Sequence, residues 1–292
     1  MIIIRLIGGL GNQMFQYALG RSISIKRQIP FALDISQFDE YKLRTYRLSS
    51  FNIVENFASK DQISDIRLNL ASRLRLKLKR LHILPDYKLN YIIEEYKKYY
   101  TYDPNIFSID ENAYLEGYWQ SEKYFQEIKN IIQDDFTIKN DLDKTTKNTL
   151  RLIQNSDSVN LHIRRGDYVT NPIFNKVHGT CSLDYYYKAI DLIASNVKKP
   201  HFFIFSDDIQ WVKQNVDIDY PTNYVSDAQN EDYIDLTLMS HCQHHIIANS
   251  SFSWWGAWLA KNPDKIVCAP SRWVNDCTIN LDDFLPDNWI RL

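Results

Sequence analysis

The chain opens on an apolar, β-branched run, Met1-Ile-Ile-Ile-Arg-Leu-Ile7, that breaks on Gly8-Gly-Leu-Gly11. Apolar positions then recur at helical spacing through Met14, Phe15, Ala18, Leu19 and Ile23, within Asn12–Lys26. Ile29–Ile35 returns to a strand-like run, so the opening predicts strand, turn, helix, strand, the start of a doubly wound sheet. Between residues 36 and 112 the pattern weakens into Tyr- and Lys-rich sequence with few turn signals. Ala113–Trp119 predicts a further strand, and Gln120–Phe125 the entry to a helix. Residues 138–157 are polar and supply the domain junction. Beyond them, strand-like runs at 158–163, 202–205, 245–248 and 265–269 alternate with helical segments, notably Ser182–Ser195 and Asp232–His241. That alternation predicts a second parallel sheet with helices on both faces, and hence domains at 1–150 and 151–292.

A chain of 292 residues has room for two such cores. Hydrophobic and charged contents of 45% and 24% place it among soluble globular proteins. A net charge of −2 argues against a nucleic-acid partner, whose footprint is a basic excess. Aromatic residues reach 14%, which suits sugar rings and ordinary cores alike. Cys181, Cys242, Cys268 and Cys277 show no C-x-x-C pairing and are expected as free thiols. The first residues lack the basic start of a signal peptide, and no apolar run approaches the roughly 18 residues that span a bilayer, so a cytoplasmic protein is expected. The basic, leucine-interleaved stretch 67–80 reads either as a solvated helix face or as peripheral attachment to the anionic inner membrane surface.

The candidate chemistry gathers where strand-like runs end. Val159–Ile163 runs into Arg164, Arg165 and Asp167 with His162 just before them; paired guanidiniums there suit a phosphate-bearing ligand, and an Arg–Asp pair capping a loop is the alternative. Phe202–Phe205 ends in Asp207 and Asp208, which read as a guanine or ribose acceptor and as a helix cap, one role for each. Ile246–Ala248 leads to Ser250, Ser251, Phe252 and Ser253 at an expected helix N-terminus, a ready anion site. Trp254, Trp255 and Trp258 on that helix read as core packing. In the first domain Gly9 and Gly11 let the backbone approach a ligand, with Asn12 and Gln13 at the helix start; Met14 occupies the third glycine position of a dinucleotide fingerprint, so that motif is not met. His241, His244 and His245 belong to a helix-to-strand junction rather than a metal centre, and the D-x-D pairs Asp141/Asp143 and Asp217/Asp219 are discounted because they lie in polar, linker-like sequence.

Taken in order, Gly8–Tyr17, Gly117–Phe125, His162–Tyr168, His178–Cys181, Phe205–Asp208 and Ser250–Trp258 resemble the blocks of the bacterial α-1,2-fucosyltransferases, glycosyltransferase family 11, over nearly the whole chain. The resemblance implies an α/β protein of GT-B type, two Rossmann-like domains facing each other across a cleft, the first on the acceptor side and the second binding the GDP-sugar. It implies inverting, metal-independent transfer of L-fucose from GDP-β-L-fucose to the 2-hydroxyl of a terminal β-galactoside, with GDP-fucose as co-substrate and no cofactor. It also implies that His162 and Arg164 contact the nucleotide, Arg164 at the β-phosphate, while residues 250–253 hold the pyrophosphate. By the same resemblance Asp207 and Asp208 hold the guanosine, and Asn12 reaches the donor. Inversion asks for a base, for which Asp167 and Glu116 are candidates. The setting implied is O-antigen or capsule synthesis. Two rival readings stand beside this one: another GDP-sugar or linkage on the same scaffold, and a non-catalytic glycan- or nucleotide-binding protein.

Overall fold

A computed structural model describes residues 1–40, 44–67, 90–226 and 231–292. β1 (Ile2–Arg5), a helix over Leu10–Arg27 and β2 (Phe31–Asp34) form the predicted opening. The helix buries Met14, Phe15, Ala18, Leu19 and Ile23, as its spacing requires, and stops where Gln28 turns left-handed at φ 55°. β3 (Tyr91–Ile93) and β4 (Ala113–Glu116) complete a four-stranded parallel sheet in the order β2-β1-β4-β3. Ile2 lies between Phe31 and Ala113 in its register. β4 ends at Glu116, earlier than the apolar run suggests, because Trp119 takes φ 55°, a conformation foreign to any strand. The helix expected from Gln120 is instead two 3-10 turns, Glu122–Tyr124 and Gln126–Ile128, ahead of a short α-helix over Lys129–Asp135.

The second sheet holds β5 (Asp157–Ile163), β6 (Pro200–Ser206), β7 (Thr222–Tyr224), β8 (His244–Ile246), β9 (Val267–Ala269) and β10 (Ile290–Arg291). All its pairs are parallel, in the order β10-β9-β8-β5-β6-β7. Alternate residues of the central strands feed two cores, which is why their sequences read as continuous apolar runs. Val159, Leu161, Phe202 and Ile204 pack with Ile190 and Ile193 of the helix Leu183–Asn196. On the other face, Phe203 and Phe205 meet Ile153, Leu238 and Met239 from the helices Lys144–Gln154 and Asp232–Ser240. The tryptophans 254, 255 and 258 are buried in the helix Ser251–Leu259, with Trp254 stacked on Trp258 at 6.0 Å. Their role is packing.

The chain divides into two compact units, Met1–Thr137 with Asn280–Phe284, and Ile138–Ile279 with Leu285–Leu292. The division falls at 137/138, not at 150/151, because the polar stretch folds into the amphipathic helix Lys144–Gln154. Asp143 caps that helix, accepting from the N–H groups of Thr145 and Thr146 at 2.7 and 3.0 Å, so one aspartate of the discounted D-x-D is a cap. The fold class is α/β, with a parallel sheet flanked by helices in each unit. Among the described residues no helix is long and apolar enough to cross a membrane. The basic stretch 67–80 lies outside the described residues, apart from the backbone of Arg67.

Candidate functional site

In the second unit the chain leaves β5 toward β6 and β7 on one side, then jumps back to β8, β9 and β10 on the other. The β5/β8 seam is therefore a topological switch point, and ligands of such sheets bind beyond the carboxyl ends of the strands there. Three predicted segments meet at those ends: His162–Asp167 after β5, Asp207–Asp208 after β6, and Asn249–Ser253 after β8. Their contacts join them. The His162 and Phe252 rings lie 5.6 Å apart, and the Tyr168 hydroxyl donates to the Asn249 carbonyl at 3.3 Å.

Arg164 is the centre of this group. Its Nη2 donates to Asp167 and its Nη1 lies 2.8 Å from Asp207 Oδ2. Burial disfavours its charge, but Asp207 and Asp167 outweigh that and hold the guanidinium above its ordinary range. Its Nε is buried and has no partner. The guanidinium is thus fixed by one edge and keeps a donor unspent. Arg165 is anchored as firmly: its N–H donates to Asp207 Oδ1 at 2.8 Å, its Nε to Asp208 Oδ2 at 3.2 Å, and its guanidinium lies 3.5 Å over the Trp211 ring. Both aspartates are therefore committed within the fold. Asp208 Oδ1 also caps the helix Ile209–Asn215 through Trp211 N–H, the cap role anticipated for one of the pair. Two guanidiniums face three carboxylates here, so an anion must be drawn by directed donors rather than by net positive charge.

His162 is 4% exposed and its Nδ1 finds no partner. Burial, and secondarily Arg164, pushes its imidazole down to about 3, so the ring is neutral at ordinary pH. An unfolded histidine titrates near 6.5. Between those values the unfolded chain binds a proton that the native site refuses, so stability rises with pH across the window and is lost on acidification. His245, held neutral by burial, adds to the same slope. The melting temperature is expected to fall as pH drops from 7 toward 4, and less steeply in His162→Gln; an unaltered slope in that variant would exclude His162 as a source.

The serines divide. Ser250 sits at the N-cap of the helix Ser251–Leu259 with no side-chain capping bond. Ser253 is fully buried and its Oγ accepts from Ala248 N–H at 3.1 Å, so its hydroxyl braces the turn. Sequence reasoning passed over three residues that shape the site. Asn249 donates to the carbonyls of His178, Gly179 and Trp273, drawing three loops together. Tyr168 stacks on His178 at 4.7 Å with rings 6° from parallel, and its ring lies 5.3 Å from the Arg164 guanidinium. Tyr168 and His178 lie in the quoted blocks and Asn249 directly precedes one, but side-chain-to-carbonyl bracing and ring stacking leave no periodic signal.

In the first unit the glycine turn joins β1 to its helix. Gly8 takes φ +80°, whereas a Cβ on Gly9 would meet nothing within 4 Å, so packing does not explain the glycine there. Gly11 is buried in the first helical turn. Gln13 is fully buried: its Nε2 donates to the carbonyls of Gly8 and Thr45, and its Oε1 accepts from Arg47 N–H at 2.9 Å. Its side chain shapes the turn rather than meeting solvent. Asn12 is half-buried, with its Oδ1 accepting from Gln120 Nε2 at 2.8 Å. Glu116 pairs with Arg5 and accepts from the Tyr91 hydroxyl at 2.7 Å. Among the described residues no group of three or more His, Cys, Asp or Glu side chains could hold a metal ion.

The profile of glycosyl transferase family 11 matches residues 1–292. An alpha-1,2-colitosyltransferase of Escherichia coli is 35% identical over 300 residues, covering 100% of this chain and 99% of that protein. The O-antigen biosynthesis glycosyltransferase WbnK of Escherichia coli is 36% identical over 304 residues, covering 98% and 99%. A galactoside alpha-(1,2)-fucosyltransferase 2 of Pongo pygmaeus is 25% identical over 270 residues, covering 88% and 68%. A whole-length family match, with a switch-point site of directed donors beneath it, makes this chain a glycosyltransferase that belongs to glycosyl transferase family 11.

Proposed function

We propose that the protein transfers L-fucose from GDP-β-L-fucose to the 2-hydroxyl of a terminal β-galactoside, with inversion and without a metal. The observation that carries this reading is the convergence of Arg164, neutral His162 and the first turn of the helix Ser251–Leu259 at the β5/β8 seam. When the sugar leaves, negative charge grows on the diphosphate oxygen. Arg164, with its unspent Nε, and the helix N–H groups are preorganised donors for that charge. Asp207 and Asp167 hold Arg164 in place, which argues for a positioning role for Asp167 over that of the base. Asp208, whose side chain is 41% exposed, accepts one bond at each oxygen, from Arg165 and from Trp211 N–H, and has further lone pairs for a ribose or guanine, and Arg165 joins the donor pocket through its hold on Asp208. The backbone of Gly9 and Gly11, with Asn12, supplies the substrate contacts of the first unit.

The colitosyltransferase relative favours a second reading, in which colitose replaces fucose in the donor. One experiment separates them. The protein is incubated with GDP-fucose and a panel of β-galactosides, with and without EDTA, and the product linkage is read by NMR. An α-1,2-fucosylated product in both conditions is expected. Absence of transfer from GDP-fucose, with transfer from GDP-colitose, would replace the first reading by the second, and an EDTA-sensitive reaction would overturn the metal-free route.

A further inference from the structure

Tyr168 meets both sides of the β5/β8 seam, yet no step assigned above uses it. It follows Asp167 directly in the short helix Gly166–Thr170. Its ring lies 5.3 Å from the Arg164 guanidinium carbon, within cation–π range. The same ring stacks on His178 at 4.7 Å, 6° from parallel. Its hydroxyl donates to the Asn249 carbonyl, in the turn after β8, through a long bond of 3.3 Å.

The ionic contacts of Arg164 leave one freedom open. Asp167 and Asp207 hold Nη2 and Nη1, the two ends of the guanidinium. Rotation about the line through those nitrogens still swings Nε, the donor left for the leaving diphosphate. A flat, fixed ring against the guanidinium opposes that rotation. An aliphatic side chain offers neither the face nor the quadrupole that draws a cation.

The ring is fixed from several directions. Asn175 Nδ2 donates to the Tyr168 carbonyl at 2.7 Å. His178 closes the helix Pro172–His178, and its carbonyl accepts from Asn249 Nδ2 at 3.1 Å. Asn275 takes the carbonyls just before it, that of Val177 through its N–H at 2.8 Å and those of Asn175 and Lys176 through its Nδ2 at 3.0 and 3.1 Å. Burial, the largest influence, pushes the His178 imidazole below its usual range against the pull of Asp167, and Arg164 acts in the same direction as burial. At neutral pH the stacked imidazole is therefore uncharged and does not repel the guanidinium.

We propose that Tyr168 is a positioning residue of the transfer: clamped on His178, its ring sets the tilt of the Arg164 guanidinium and so the aim of Nε. The inference rests on the reading of Arg164 as a donor to the leaving diphosphate, so its test includes a signal that needs no transfer.

Tyr168→Leu removes the ring, and Tyr168→Phe only the hydroxyl. In steady-state kinetics with GDP-fucose, Tyr168→Leu is expected to lower kcat about tenfold to 10²-fold with donor KM little changed, the scale of loss for a mis-aimed catalytic group. Tyr168→Phe should stay within about threefold of the parent, the loss of one weak hydrogen bond. The kcat loss should largely disappear when Tyr168→Leu is added to Arg164→Ala. GDP, which carries the full charge that departure of the sugar leaves behind, gives the second signal. Calorimetry should show its binding weakened about threefold to tenfold by Tyr168→Leu, and no further once Arg164 is replaced by alanine. Where Tyr168→Leu does not fold, His178→Leu, which withdraws the stacking partner, takes its place in both cycles. Near-parental kcat in Tyr168→Leu, an equal loss in Tyr168→Phe, or losses that multiply with Arg164→Ala in both measurements overturn the clamp. A parent protein that binds GDP but moves no fucose overturns the reaction assigned above, and the GDP cycle still decides the clamp; one that binds no GDP overturns both.

Discussion

Arg164→Ala is expected to lower kcat for fucosyl transfer by about 10²–10³, the usual loss for one preorganised donor aimed at a transition-state charge. The structure supplies the reason for so large an effect. Asp207 and Asp167 hold the two terminal nitrogens, so the guanidinium does not have to be ordered during the reaction, and its Nε remains to donate. Where the Nε donor is aimed at the further negative charge that develops on the leaving diphosphate as the bond breaks, kcat and kcat/KM should fall together. A rise in KM for the donor with kcat retained would instead mark Arg164 as a ground-state phosphate contact. Arg164→Lys should recover little, since an ammonium keeps the charge but cannot span two carboxylates and still present a planar edge. Steady-state kinetics at saturating acceptor, with a melt to verify folding, decide the matter, and near-parental kcat in Arg164→Ala would remove this residue from the mechanism.

Much of this site was legible before any coordinates. Charged and small residues directly after apolar runs mark strand ends, and in a parallel α/β sheet strand ends are where ligands sit. The fold has Arg164, Asp207 and the turn after β8 at the ends of three neighbouring strands. That logic could not say which atoms are free. Gln13 and Ser253 are polar and well placed in sequence, yet each is buried and satisfies a backbone group. Likewise Asp207 offers the sequence a carboxylate, and only the fold shows both oxygens already engaged by Arg164 and Arg165. In the fold, β5 and β6 were visible because both faces of each are covered. β7 and β10 were not: they are short edge strands with largely exposed residues and no apolar run to announce them. The helix Lys144–Gln154 was hidden for a related reason, since it buries a single narrow face and otherwise looks like a polar linker.

Gly166→Ala is expected to reduce kcat on the order of 10²-fold, through positioning alone, since displacing a catalytic group by about 1 Å costs roughly that much. Gly166 touches no substrate in the reading above, but its Cα stands against the Asp207 carboxylate: a Cβ there would lie 2.3 Å from Oδ2. A free aspartate would swing aside at little cost. This one is pinned by Arg164 Nη1 at 2.8 Å and Arg165 N–H at 2.8 Å, so the added methyl must break one of those contacts or push Arg164 with it. The effect should be concentrated on catalysis, because Gly166 lies at the surface-facing start of a short helix and not in either core. A double-mutant cycle supplies the decisive measurement. If Gly166→Ala acts by displacing Asp207, then adding it to Asp207→Ala should change kcat little further, whereas independent effects would multiply. Multiplicative losses would mean that the glycine serves something other than the Asp207–Arg164 pair, and the chain of positioning from Gly166 through Asp207 to the guanidinium would fail at its first link.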